Sequence, residues 1–274
     1  MVPLPTPQQS PAPGLAPACT LPRSLTVSEL HSITLALQVV TNLRGAGQAQ
    51  PHLLLAVQAI KQAQCHRFRR SYADVLDHHD WSAAAHFFLQ ELYGERDYSQ
   101  RDAQFGRIAP VMQRLFPASV VSVATTLTQL HAVTEQFDYA MGAALLALQP
   151  SLVTESAARF AYVQVWKAVG QPQARAEQLA LVQRLGNEMS QLTRTHGLRM
   201  MLRMMRGAAN ASGLHDLQHF LELGFDTFAA LHRSKGGVTG FLALVDQRER
   251  AWMARLFEAG DANTYGNTPW PELE

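Results

Sequence analysis

Apolar residues recur at helical spacing nearly everywhere between Leu25 and Ala259, and no run alternates as a half-buried strand would. The pattern predicts an all-α fold. Short links between segments make it a single multi-helix bundle of about nine to ten helices, mostly antiparallel neighbours. The first helix is expected from about Val27 to Leu43, opened by Thr26 or Ser28 and stopped by Gly45 and Gly47. Pro51 opens a second that reaches about Leu76 and carries Arg67, Arg69 and Arg70 near its end. Asp80 to Pro117 then reads as a helix hairpin. Asp80 caps its first arm, Gly94 ends it, and Ser99 caps the second arm with Asp102 three residues on. Pro110 should kink that second arm, because it removes an N–H and crowds the carbonyl four residues back.

Pro117 starts a long helix to about Leu148, whose apolar stripe includes Ala124, Leu127, Leu130, Phe137 and Met141. Helices from Glu155 to Val169 and from Pro172 to Leu192 follow. Thr195 opens a Met-rich helix that ends near Gly207, and Leu214 to His232 and Val238 to Ala259 are the last two. Gly106 and Gly142 are small enough to allow close helix contact.

Within the hairpin, the run Phe87-Phe88-Leu89-Gln90-Glu91-Leu92-Tyr93-Gly94, then Asp97, Arg101-Asp102 and Ile108 to Pro117, resembles the signature of an uncharacterised bacterial all-helical family, one of the domains of unknown function. The resemblance extends from about Leu25 to Phe257 and includes the later LHAVTEQFD stretch. It implies an all-helical fold and a bacterial origin, and carries no activity with it.

The flanks differ in composition. Prolines at 3, 5, 7, 11, 13, 17 and 22 are half of the chain's 14, so residues 1–24 are expected to be a disordered tail, partly polyproline II. Residues 25–259 form the helical domain and 260–274 a second tail. With 47% hydrophobic and 16% charged residues the domain is globular, and a net charge of +1 gives no reason to expect nucleic acid as a partner. No apolar stretch is long enough for a transmembrane segment. Two cysteines, Cys19 and Cys65, make neither a disulfide framework nor a thiolate metal site, which fits a cytoplasmic protein. Phosphate-binding glycine loops, nucleophile elbows, H-E-x-x-H and paired C-x-x-C motifs are all missing.

Four groups could carry chemistry. His131, Thr134, Glu135 and Asp138 fall within or beside the apolar stripe of the long helix, where polar groups must find partners or lose solvation. They could line a polar pocket or hold a metal, or they could pair with arginines such as Arg67, Arg70, Arg101 or Arg107 in a structural network. His215, His219 and Glu222 share one helix face at spacings suited to a metal. The stripe of Leu214, Leu217, Leu221, Phe225 and Phe228 lies nearly opposite, so that face is expected to be solvated. Arg199, Arg203 and Arg206 lie opposite Leu198, Met201 and Met205, a candidate surface for a protein partner or a membrane. Glu91, Tyr93, Asp97, Tyr98, Arg101, Asp102 and Arg107 could stiffen the hairpin joint through ion pairs or form a recognition surface.

The expectation is a non-enzymatic protein that binds another protein or itself. The alternative is a metal, haem or small-ligand binding bundle, with enzyme activity, whose polar interhelical pocket uses His131, Glu135 and Asp138. The sequence identifies no cofactor.

Overall fold

The computed structural model describes residues 24–258 apart from 93, 95, 151 and 152. The Pro-rich tail up to residue 23, the terminal segment from 259 and Tyr93 lie outside the described residues. Among those described there are eleven helices and no strand, as the hydrophobic period predicts.

The chain enters through a turn. Thr26 N and Oγ1 both donate to Glu29 Oε2, at 2.8 and 2.9 Å, where the sequence predicts a helix start. Helix α1, Ile33–Gln48, begins after Ser32, whose Oγ accepts the Leu35 N–H at 3.2 Å. It runs through Gly45 and Gly47, the expected stops. A glycine costs a helix interior only about 1 kcal/mol, and buried Leu43, packed with Leu53 and Tyr139, outweighs it.

The expected second helix is two pieces, α2 Pro51–Ser71 and α3 Ala73–Leu76, separated at the fully buried Tyr72. Helix α4, Ser82–Phe87, widens into a π-helical turn over Phe88–Leu92. Asp80 does not cap it. Its carboxylate faces His79 Nδ1 at 3.2 Å and its N–H donates to His78, two residues short of the helix. Ser99 is the first residue of α5, Ser99–Leu115, not its cap. The carboxylate that receives the Ser99 N–H belongs to Asp97, at 2.8 Å. This helix continues through Pro110.

Helices α6, Ala118–Leu148, α7, Glu155–Val169, and α8, Pro172–Leu192, have nearly the expected bounds. Thr154 Oγ1 accepts the Ala157 N–H at 3.1 Å to start α7. Helix α9, Leu198–Ala211, follows Gly197, at φ 80°, rather than a Thr195 cap, and extends past Gly207. Helices α10, His215–Arg233, and α11, Gly237–Glu258, close the fold.

The 31-residue α6 is the axis, with α1, α2, α7 and α8 packed around it. A second group gathers on α10, which touches α4, α5, α8, α9 and α11. The largest core joins these groups through residues such as Phe88, Phe137, Leu185, Phe228 and Phe241. Another, built on Ile60, Met141, Leu145, Tyr162 and Leu256, knits α2, α6, α7 and α11. At the α2–α6 crossing Gly142 lets the backbones nearly touch: a Cβ there would lie 2.8 Å from Val57 N. Gly106 has no such role, its nearest neighbour being 4.0 Å away. None of the described helices is long and apolar enough to cross a membrane.

Candidate functional site

Helix α6 delivers polar side chains to two different places. His131 and Asp138 are seven residues apart, roughly 10 Å along the axis, and they meet different partners.

At the His131 level the partner is Asp102 of α5. His131 Nε2 lies 2.8 Å from Asp102 Oδ2, which also receives Arg44 Nη2 of α1 at 2.7 Å. Arg101 reaches the other carboxylate oxygen at 3.2 Å and donates to the Glu91 carbonyl at 3.0 Å. Its guanidinium also covers the rings of Tyr98 and Phe220, at 4.3 and 4.7 Å. Burial opposes ionisation of Asp102, but His131 and the two arginines outweigh it and hold the carboxyl well below its usual range. The adjoining void is only about 20 Å³, room for a single water. This is the paired network that the sequence left open: of the four arginines named for it Arg101 takes part, and Arg44, not named, joins it.

One and two turns on, Glu135 and Asp138 face Lys61 of α2. Lys61 Nζ is 2.6 Å from Glu135 Oε1 and 3.7 Å from Asp138 Oδ2. One ammonium serves two buried carboxylates, and it favours the nearer. Glu135 stays below its usual range despite burial, whereas burial, with help from the Glu135 charge, pushes Asp138 up to about 6.

Asp138 borders a cavity of about 100 Å³ enclosed by α2, α6, α7, α8 and α11. Thr134 lies on the same wall, its Oγ1 accepting from Gln178 Nε2 at 2.9 Å. Arg67 also lines the cavity; its two terminal nitrogens bond Glu249 at 2.5 and 3.0 Å, with the Tyr72 hydroxyl donating to the same carboxylate at 2.8 Å. Phe137, Tyr162, Trp166 and Phe241 make the remaining walls mostly aromatic.

The unusual member is Arg175, in the first turn of α8 and only 4% exposed. Its Nε donates to the Gly170 carbonyl at 3.0 Å, and its guanidinium covers Trp166 at 3.3 Å and Phe137 at 4.3 Å. Among the described residues no carboxylate pairs with it, and burial draws it down to about 10. Its Nη2, together with Arg67 Nε and Trp166 Nε1, is buried without a hydrogen-bond acceptor. Three unfilled donors therefore stand on the walls of one cavity. Such groups cost free energy unless something accepts from them.

The other candidates are not drawn into this site. Arg70 is exposed at the end of α2, and Arg107 donates to the Gly213 carbonyl at 2.6 Å. Arg199, partly buried, and Arg206, which is itself exposed, both bind α10, at Asp226 and Glu222. Arg203 is exposed. The face of His215, His219 and Glu222 departs from the solvated one expected: the two histidines are exposed, but Glu222 is buried beneath α9, where hydrogen bonds from Arg206 and Gln218 hold it at about 2. Among the described residues no three His, Cys, Asp or Glu side chains are arranged to hold a metal.

The residues the sequence reading missed are Arg44, Lys61, Arg175 and Glu249. Two had a visible signal. Arg175 stands in line with Leu179, Val182 and Gly186, and Glu249 with Val245, Trp252 and Leu256, charges within apolar stripes as on α6.

The family model described as Domain of unknown function (DUF8198) matches residues 43–263 of the chain. No curated protein and no solved structure matches it.

Proposed function

We propose, for a chain that belongs to this family of unknown function, that the protein binds a short carboxylate in the cavity between α6, α7, α8 and α11. The observation that carries the reading is Arg175, a buried guanidinium in no ion pair among the described residues, which lines one cavity with Trp166 and Arg67, while Arg175 Nη2, Trp166 Nε1 and Arg67 Nε lack acceptors. A guanidinium presents parallel donors that match a carboxylate. The aromatic walls suit the short hydrocarbon part of such a ligand, and Asp138, protonated in a good fraction of molecules near pH 6, can donate to it. An apolar void of ~150 Å³ holds a benzene, so about 100 Å³ suits a ligand of roughly three or four carbons.

Thermal-shift titration with acetate, propionate, butyrate, pyruvate and benzoate tests this reading. A rise in melting temperature for the three- and four-carbon acids, absent in Arg175→Met, is the expected result. No shift with any of them, or equal shifts in the variant, would remove the proposal.

The exposed outer face of α9 favours a second reading, self-association. Met200 is 68% and Met204 73% exposed, with Arg203 between them. Sedimentation equilibrium of wild type and Met204→Glu tests it. An identical monomer mass for both would exclude that face as a contact.

A further inference from the structure

Helix α9 does not close onto the body of the protein. It packs chiefly against α10, and between it and α5, α6 and α8 lies a cavity of about 230 Å³. Of the described residues around this space only Ser212 and Gln218 are polar. The Gln218 amide is already committed, donating to the Leu202 carbonyl at 2.7 Å and to Glu222 at 2.8 Å. A space walled by Phe105, Met112, Leu127, Met201, Met205 and Phe225 offers water almost no hydrogen bonds, and such voids stay dry or take apolar ligands.

One edge of α9 is fastened. Arg206 grips Glu222 with two nitrogens and Arg199 grips Asp226 in the same way, while Arg199 Nη1 lies 3.6 Å from Glu222. The opposite edge, with Met201, Met205 and Ala208, borders the cavity. Helix α9 is thus fastened along α10, while its other edge borders the cavity that α5 also lines. Methionine suits such a wall, because its unbranched, polarizable chain refits around whatever enters.

Charge at the rim selects among apolar ligands. Arg107 of α5 follows the turn that carries Phe105, neighbours Ile108 on the cavity wall, and donates to the carbonyl of Gly213, between the lining residues Ser212 and Leu214. It is exposed, and no carboxylate among the described residues pairs with it. An apolar interior with an unneutralised guanidinium at its edge fits a single-chain anionic amphiphile, tail inside and head at the rim. By comparison with the benzene-sized void above, 230 Å³ takes a tail of roughly nine carbons. We infer that the space beneath α9 binds a medium-chain fatty acid whose carboxylate meets Arg107. This site is separate from the Arg175 cavity and does not rest on it.

Isothermal titration of the full chain with hexanoate, octanoate, decanoate and decanol, below their micellar concentrations, tests the inference. Affinity for the carboxylates should tighten about three- to fourfold per added methylene up to about nine carbons and level off beyond. Arg107→Gln should weaken decanoate about tenfold and leave decanol unchanged. Ala208→Trp, at an exposed position on the rim, should abolish binding of both with the melting temperature preserved. No binding by the wild type would overturn the inference. So would affinity that is indifferent to Ala208→Trp, or binding equally well reproduced by anionic phospholipid vesicles with both proteins, since either places the amphiphile on the outer surface.

Discussion

The guanidinium carbon of Arg175 sits 3.3 Å from the centroid of the Trp166 ring, and the Nη2 of that guanidinium has no acceptor. Stacking on an aromatic face returns about 2 kcal/mol when desolvated, whereas removing a guanidinium from water costs several. The site is therefore held at some expense to the fold. Arg175→Met, which keeps the volume and drops the charge, should leave the protein as stable as wild type or up to about 2 kcal/mol more stable in urea unfolding. A loss of more than that would make Arg175 a structural group whose needs are already met.

Acidity should act on stability through Asp138. Its carboxyl is pushed up to about 6 by burial, so the native state holds a proton there that the unfolded chain, titrating near pH 4, has lost. Stability from this group is complete below about pH 4 and fades as pH rises through 6. Asp138→Asn removes that slope. Relative to wild type it should gain about 1–3 kcal/mol at pH 8 and little at pH 4.5, measured by denaturant titration at both values. Lys61 keeps Glu135 as its partner in the variant.

Asp102 has the opposite sign. Held low by His131, Arg101 and Arg44, it lends stability that is present above about pH 4 and lost as pH falls towards its depressed value. Asp102→Asn strands two arginines in a largely buried cluster and should cost about 3 kcal/mol. His131→Ala should cost less, since Arg44 and Arg101 still meet the carboxylate. Equal losses would mean that the imidazole, not the arginines, organises the joint.

Which parts of this were legible beforehand follows from what punctuates the chain. Helices α6, α7 and α8 were readable because Pro117, Gly170 and Pro172 mark their ends with residues that have one common use there, whereas the Thr154 cap of α7 shows only in the structure. Helix α1 was misplaced because Gly45 and Gly47 look like stops, and only packing against α2 shows that they are interior. The caps at Asp80 and Ser99 failed for separate reasons: α4 starts two residues after Asp80 with no side-chain cap, and Ser99 is already inside α5, its N–H accepted by Asp97. At the site, Asp138 and Thr134 could be found from polarity on an apolar stripe. Their division from His131 and Glu135 could not, because Arg44 and Lys61 lie 87 and 74 residues away from those partners in sequence. Buried Glu222 was misjudged for a related reason: the wheel of α10 cannot show that α9 folds over its polar face.

The α2–α6 crossing offers a test of packing alone. Gly142→Ala would set a methyl group 2.8 Å from the Val57 backbone nitrogen, in a core where nothing flexible can yield. The cost should be about 1–3 kcal/mol from overpacking, read as a lower urea midpoint. Gly106→Ala, whose nearest neighbour is 4.0 Å away, should be neutral or slightly stabilising.

The account turns on whether the space beside Arg175 is a receptor for an anion. Calorimetric titration of butyrate into wild type and Arg175→Met at pH 6 measures this directly. The expected result is saturable one-to-one binding by the wild type that weakens at least tenfold in the variant, while the variant remains folded. Heats no larger than dilution for the wild type, or the same affinity with methionine in place of the guanidinium, would contradict it.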